Sequence, residues 1–320
     1  MWLQLKRRRE SIVTTKTIIS VIGPTAIGKT KVAIALANHF KTDIISADSR
    51  QFFKEMTLGT AVPNADELAS ATHHFIQHKS ILENYSVGDF EKDTLSLLDS
   101  LFVANDIVIL VGGSGLYVDA VTKGLDSFPE IDPVIRTALN TLFENEGIIS
   151  LQQKLETLDP EYYKKVDKDN PHRLIRALEV CIGSNKPYSS FLNKEKPARP
   201  FNVITVGLAA EREIIYNRIN QRVDLMMQEG LLQEAKTLLQ YKSLNALQTV
   251  GYKELFHYFD GEWTLEFAIS EIKKNTRRFA KRQLTWFKKN KKTLWVTYNA
   301  DIKDVINTVE QKIETKKKPT

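Results

Sequence analysis

The segment GPTAIGKT at positions 23–30 constrains this chain more than any other. It satisfies the eight-residue phosphate-loop pattern of a glycine, four free positions and Gly-Lys-Thr. Its surroundings agree. Ile18 to Ile22 is a short β-branched run that predicts a buried strand, and Val32, Ala33, Leu36 and Ala37 recur at helical spacing within Lys29 to Phe40. A loop joining a strand to a helix can turn its backbone amides inward onto an anion. Glycine permits that turn, and the helix start adds roughly half a positive charge on the same side. On this reading Gly23, Pro24, Thr25, Ala26, Ile27 and Gly28 wrap a diphosphate or nucleotide, Lys29 neutralises terminal phosphates, and the Thr30 hydroxyl holds Mg²⁺. The motif alone leaves the phosphate compound and the reaction open.

Asp43 to Ala47 predicts a second short strand that delivers Asp48, Ser49, Arg50 and Gln51 at its carboxyl end. In a parallel sheet the carboxyl ends of neighbouring strands share one crevice with the phosphate loop, so Asp48 would face a bound phosphate. The spacing equally permits Asp48 to cap the next turn. Gly59 to Pro63 reads as a loop and Asn64 to Ala71 as a short helix. No metal site is expected at His73, His74 and His78, because adjacent histidines in regular structure cannot both face one ion. Tyr85 to Leu101 reads as an amphipathic helix.

The run Asp106 to Val111 predicts the clearest buried strand, and it ends in Gly112, Gly113, Ser114 and Gly115 rather than in an acid. Phosphate-loop ATPases and GTPases place an aspartate there to hold Mg²⁺, so a motor or switch enzyme is disfavoured. Leu116 to Phe191 is helical in pattern, broken at Gly147 and Pro160, with Arg173 and Arg176 three apart on one face. That pair suits a solvated face or a phosphate-backbone contact. After a Lys/Pro-rich linker, Lys194 to Pro200, Asn202 to Leu208 returns to strand character. Glu211 to Gly230 then carries Arg212, Arg218 and Arg222 on a helix, where small-molecule kinases keep arginines that close over phosphate. Gly251 allows a turn between Gln248 and Lys253. Thr264 to Asn290 is a long helix with nothing acidic after Glu271, read as a polyanion-binding element with Phe279, Trp286 and Phe287 as its core face. Thr293 to Thr297 closes the sheet.

The expected fold is therefore α/β, a phosphate-loop NTPase-like parallel sheet flanked by helices, with a mainly helical insert domain. The expected divisions are a disordered extension over 1–16, the core over 17–122, the insert over 123–200, a return to the core with basic helices over 201–298, and a C-terminal helix and tail over 299–320. A net charge of +6 points to a polyanionic partner. The single cysteine, Cys181, excludes an internal disulfide framework and suits a reducing, cytoplasmic setting. No apolar run of about 18 residues is present, and the amino-terminal residues lack the h-region of a secretory signal.

Seven segments occur in one order: GPTAIGKT at 23–30, SADSRQFF at 46–53, GTAVP at 59–63, GGSGLYVDAV at 112–121, HRLIRALEV at 172–180, VGYKEL at 250–255 and AKRQLTWFKK at 280–289. The chain closely resembles the tRNA dimethylallyltransferases over residues 17–297. The resemblance implies transfer of a prenyl group from dimethylallyl diphosphate to N6 of adenine 37 in the anticodon stem-loop of tRNA, by a cytoplasmic monomer using Mg²⁺. It implies that Asp48 is the general base. Lys29, Thr30, the loop amides, Arg212, Arg218 and Arg222 would stabilise the departing diphosphate. The implied tRNA contacts are Asp48, Ser49, Arg50, Gln51, Ser114, Arg136, His172, Arg173, Arg176, Gln248, Gly251, Tyr252, Lys253, Lys281 and Arg282. Ile27, Ser114 and Val62 depart from the serine, threonine and lysine usual in the family. No zinc-finger extension follows, as expected of a bacterial member.

Two other classes compete. A small-molecule kinase or adenylate prenyltransferase shares the loop and a nearby acid but has no use for so basic a helix. A non-catalytic RNA-binding clamp would bind without forming product.

Overall fold

Strands form here where short β-branched runs are bounded by glycine or polar residues, and helices where apolar residues recur every three or four positions. The computed structural model describes residues 16–192, 194, 196 and 198–317. The expected disordered extension, apart from Lys16, lies outside the described residues, as do the last three residues of the tail. β1 (Thr17–Ile22) leads through the phosphate loop into α1 (Lys29–Phe40). β2 (Ile44–Ser46), α2 (Ala65–Ser70), β3 (His73–His74), α3 (Val87–Ala104), β4 (Ile107–Gly112) and α4 (Gly115–Lys123) follow. The chain then passes through α5 (Pro133–Glu146), α6 (Ile148–Leu158), α7 (Pro160–Tyr163) and α8 (Pro171–Ser184). It continues as β5 (Asn202–Ala209), α9 (Arg212–Gln228), α10 (Leu231–Thr237), α11 (Tyr252–Phe259), α12 (Leu265–Phe287), β6 (Leu294–Thr297) and α13 (Ile302–Lys317).

The six strands lie in the order β3-β2-β4-β1-β5-β6, every pair parallel. Parallel strands are covered on both faces, and β1 divides its residues accordingly. Ile19 and Val21 join a cluster with Val32, Leu36, Ile215 and Ile219, while Ile18 and Ile22 join one with Phe90, Leu98 and Val118. A third cluster, built on Tyr252, Leu255, Phe256 and Ile272, lies under α10 to α12. The expected fold class is thus observed. Local signals agree with it: Ser86 and Asp89 form a capping box at the start of α3, and Asn170 caps α8 ahead of Pro171.

The chain divides into two compact units, one comprising residues 1–123 and 199–320, the other Gly124–Ala198. The second has its own core of Leu139, Leu151, Leu155, Leu174 and Leu178.

Two features differ from expectation. His73 and His74 form the edge strand β3, too short for periodicity to detect. On α12 the buried stripe runs through Ala268, Ile272, Ala280, Gln283 and Phe287, so of the three aromatics expected in the core only Phe287 is there. Phe279 and Trp286, seven residues apart, share a neighbouring face. Trp286 is 36% exposed, and its indole N–H donates to Asp119 at 2.9 Å.

Gly112 sets how closely the ends of β2 and β4 approach. A Cβ there would lie 2.5 Å from the Ala47 carbonyl oxygen, immediately before Asp48. We expect Gly112→Ala to destabilise the protein by about 1–3 kcal/mol, the usual range for overpacking. Urea unfolding measures this, and an unchanged midpoint would show that the strands separate freely.

Candidate active site

The phosphate loop leaves β1 in a conformation few side chains tolerate. Gly23 has φ +152° and Gly28 +104°, with Ala26 also positive at 62°. Such alternation turns successive N–H groups to one side, a concavity suited to anions. Lys29 folds back onto the loop, its ammonium donating to the Pro24 carbonyl at 2.9 Å. Desolvation pushes its pKa down to about 8, with Asp48 opposing the shift and Arg222 adding to it. Arg218 braces the loop, its Nε donating to the Ala26 carbonyl at 2.7 Å.

A cavity of about 470 Å³ opens on this loop. Thr25, Ala26, Gly28, Lys29 and Thr30 line one side, Ser46, Asp48 and Gln51 another, and Arg218, Gln221 and Arg222 a third. Asp48 does both things its spacing allowed. It lines the cavity, and its Oδ1 accepts the Arg50 amide at 3.3 Å, capping the turn. Gln51 is locked beside it, donating to the Ala61 carbonyl at 2.8 Å.

A narrow hollow of about 60 Å³ shares Thr25, Asp48, Thr60, Ala61 and Arg222 with this cavity and adds Arg50, Met226, Ile272 and Phe279. Arg50 and Val250 also line a further hollow of about 380 Å³, with Gln248, Lys253, Glu254, Asn275 and Arg282. The Arg50 guanidinium lies 4.3 Å from the Phe279 ring centroid and that of Arg282 5.7 Å from it, within reach of cation–π attraction. Burial holds Arg50 below the ordinary guanidinium value, against the pull of Asp48 and Glu254.

The structure gathers most of the expected residues and separates some. Ser114 joins the group through its hydroxyl, which accepts the Ser49 amide at 3.2 Å. Ile27 is 1% exposed and belongs to the core, which accommodates its departure from serine. Val62 lies between Ala61 and Pro63 but, unlike them, does not line the cavity. Arg212 is not brought to the loop: it opens α9 and lines a separate hollow of about 720 Å³ with Lys281 and Lys288. Arg218 and Arg222, four apart, share a helix face, whereas Arg212 lies a turn and a half earlier on another. Lys281 and Arg282 diverge for the same reason, since consecutive helical residues differ by about 100°.

Tyr252 offers no open face. It is fully buried, and its hydroxyl donates to Glu234 at 2.7 Å. Glu234 also accepts the amides of Thr57, Leu58 and Gly59 at 3.1, 2.8 and 3.0 Å, fixing the loop that holds Gln51. Gly251 is needed at φ +104°, and its amide donates to Glu254 at 2.8 Å. Within the unit 124–198, Arg136 and Arg176 converge on Glu179 at 3.0 and 3.2 Å, while His172 and Arg173 are exposed at the start of α8. Glu234, Phe279 and Gln283 went unrecognised in the sequence as site residues. The available signal was a lone glutamine on the apolar stripe of a basic helix.

For a metal, the cavity offers hard oxygen donors, the Thr30 and Ser46 hydroxyls and the Asp48 carboxylate. Among the described residues no three His, Cys, Asp or Glu side chains cluster. That donor set fits Mg²⁺, which keeps several waters and takes further oxygens from phosphates. His74 is engaged otherwise, 2.8 Å from Asp43.

Fold and site together define a phosphate-loop α/β protein whose anion cavity adjoins a basic, aromatic hollow. The family model described as IPP transferase matches residues 51–290, and the chain belongs to that family. It is 62% identical over 306 residues to a tRNA dimethylallyltransferase of Flavobacterium johnsoniae, covering 94% of this chain and 99% of that one. Among solved structures it is similar to a tRNA isopentenylpyrophosphate transferase from Bacillus halodurans, with 36% identity, a TM-score of 0.71, and coverage of 94% and 98%. A eukaryotic dimethylallyltransferase acting on tRNA shares the fold at 24% identity, with a TM-score of 0.76 and coverage of 93% and 77%.

The depressed Lys29 pKa gives a pH dependence. The ammonium that attracts an anion is present below about 8 and lost above it. The affinity for inorganic diphosphate, taken as a ratio to a Lys29→Met variant to cancel ligand ionisation, should fall as pH rises through that value. Titration calorimetry provides the test; a flat ratio would remove Lys29 as the titrating group.

Proposed function

We propose that this chain transfers the dimethylallyl group of dimethylallyl diphosphate to N6 of adenine 37, beside the anticodon of tRNA, and releases diphosphate. Family membership supports the reaction class. The observation that carries the assignment is the position of Asp48, in the wall of both the phosphate-loop cavity and the narrow hollow that adjoins it. A base there stands between a donor held by its diphosphate and an amine entering from the Arg50 side.

The N6 lone pair attacks the allylic C1 while the C1–O bond breaks and its electron pair leaves with diphosphate. Asp48 takes the proton that N6 loses. Lys29, the loop amides, Arg218 and Arg222 stabilise the charge gathering on the leaving group, worth about 3 kcal/mol for a well-placed donor. Mg²⁺ held at Thr30 would add further neutralisation of that charge. Arg212, set apart from the cavity, is assigned no part in this step.

The acceptor base must leave its stack, which is cheapest in a loop. Phe279, Arg50 and Arg282 offer flat and cationic surfaces to receive it, with Ser49, Gln51, Ser114, Gln248, Gly251 and Lys253 nearby. Arg136, His172, Arg173, Arg176 and Lys281 serve the RNA backbone. Tyr252 acts from beneath through Glu234. The protein works as a monomer in the cytoplasm.

The test is incubation with Mg²⁺, labelled dimethylallyl diphosphate and an unmodified anticodon stem-loop, followed by nucleoside analysis. Prenylated adenosine should form and should vanish when adenine 37 is replaced; phosphate passing from ATP to a small acceptor instead would sink the proposal. Asp48→Asn should lower kcat by about 10²–10⁴, the usual worth of a general base, with RNA affinity held within about threefold. Turnover retained in that variant would remove Asp48 from the role.

A further inference from the structure

Within one turn, α12 serves both sides of the site. Arg282 lines the hollow that Arg50 also lines, and Phe279 lies under the Arg50 guanidinium. Gln283 points the other way. It is 5% exposed and is the one polar residue in the buried stripe of the helix. Both ends of its amide are engaged: Oε1 accepts the Thr25 amide of the phosphate loop at 2.8 Å, and Nε2 donates to the Gly113 carbonyl, just beyond β4, at 2.8 Å. A side chain at Gly113 would collide with that Nε2, and its Cβ would sit 3.6 Å from the Lys29 ammonium. The glutamine therefore occupies the ground between the loop and the end of β4, where nucleoside triphosphatases carry an acid.

We infer that Gln283 is a positioning residue for the diphosphate. It holds the first half of the phosphate loop from the same helical turn that carries the acceptor-side Arg282 and Phe279, so that diphosphate and RNA binding strengthen each other. The inference rests on the function proposed above. Removing the amide would leave the half-buried Thr25 N–H without its acceptor and free this part of the loop from the position that the bond imposes. Arg282 and Gln283 are consecutive residues of one helix, so a shift of α12 as Arg282 meets RNA displaces Gln283 and with it Thr25. Linkage makes the effect reciprocal: whatever factor RNA contributes to diphosphate affinity, diphosphate contributes to RNA affinity.

Calorimetric titration of inorganic diphosphate with Mg²⁺, alone and with a saturating unmodified anticodon stem-loop, tests this. In the native protein RNA should raise diphosphate affinity about fivefold or more. Gln283→Leu keeps the size and loses both hydrogen bonds. It should weaken diphosphate binding about tenfold, leave RNA affinity alone within about twofold, and reduce the coupling ratio to one. Gln283→Asn, too short to span both partners, should lose the coupling in the same way and serves if the leucine variant does not fold, as judged by circular dichroism and Tm. Native-like diphosphate affinity and coupling in either folded variant, or no coupling in the native protein, overturns the inference. Failure of the native protein to bind diphosphate at all would instead overturn the proposed function, and this inference with it.

Discussion

The site depends on an imbalance of charge enclosed in one cavity. Lys29, Lys31, Arg218 and Arg222 line it against the carboxylates of Asp48 and Glu67. Cations crowded together repel, and desolvation has already moved Lys29 toward its neutral form. An anion entering the cavity would relieve both costs, which supports the phosphate-binding role proposed for it. Neutralising every cation from within the protein would have been more stable and useless, since a fully paired site has nothing left for a ligand. The same imbalance explains why Lys29 rests on the Pro24 carbonyl and Arg218 on the Ala26 carbonyl. Backbone oxygens hold the cations in place while leaving their net charge available.

Maintaining that arrangement falls to the sheet and to contacts that exclude side chains. β1, β2 and β4 end together because they are parallel neighbours, and Gly112 lets the last two close onto Ala47. Asp48 is therefore placed by backbone, with its own Oδ1 fixed by the Arg50 amide. Across the cavity the 57–61 loop is held by Glu234, whose carboxylate accepts three successive amides and the buried Tyr252 hydroxyl. Charge-assisted bonds of this kind are the stronger sort. They hold the wall beside Gln51 in place without regular structure.

The sequence made the phosphate loop, its strand and its helix legible because all three depend on local geometry: glycine conformation, β-branched runs and helical spacing. The end of β4 could be read for the same reason. The errors arose where role depends on which helix face meets which neighbour. Arg212 stands on the same helix as Arg218 and Arg222 but on a different face and in a different hollow. Tyr252, expected among the tRNA contacts, is fully buried, and its hydroxyl finds a carboxylate from α10, eighteen residues earlier. Composition cannot reveal such a partner. Ile27 shows the converse: where the family has serine, its side chain is packed in the core.

Helix α12 shows why a strongly basic segment need not be only a surface. Its exposed face carries Arg278, Lys281 and Arg282, with Lys288 and Lys289 just past its end, while its buried stripe is apolar except at Gln283. A leucine there would pack more simply, and burying an amide is costly unless every donor and acceptor is met. Here each end of the amide has a partner, one in the phosphate loop and one just beyond β4. A buried polar residue bonded at both ends fixes register as well as energy, because a helix displaced along its axis by one turn, about 5.4 Å, would lose both bonds at once. The position of Arg282 and Phe279 against Arg50 is thereby tied to the position of the loop. The proposed acceptor side and phosphate side are thus both held by α12, through contacts other than its exposed charges.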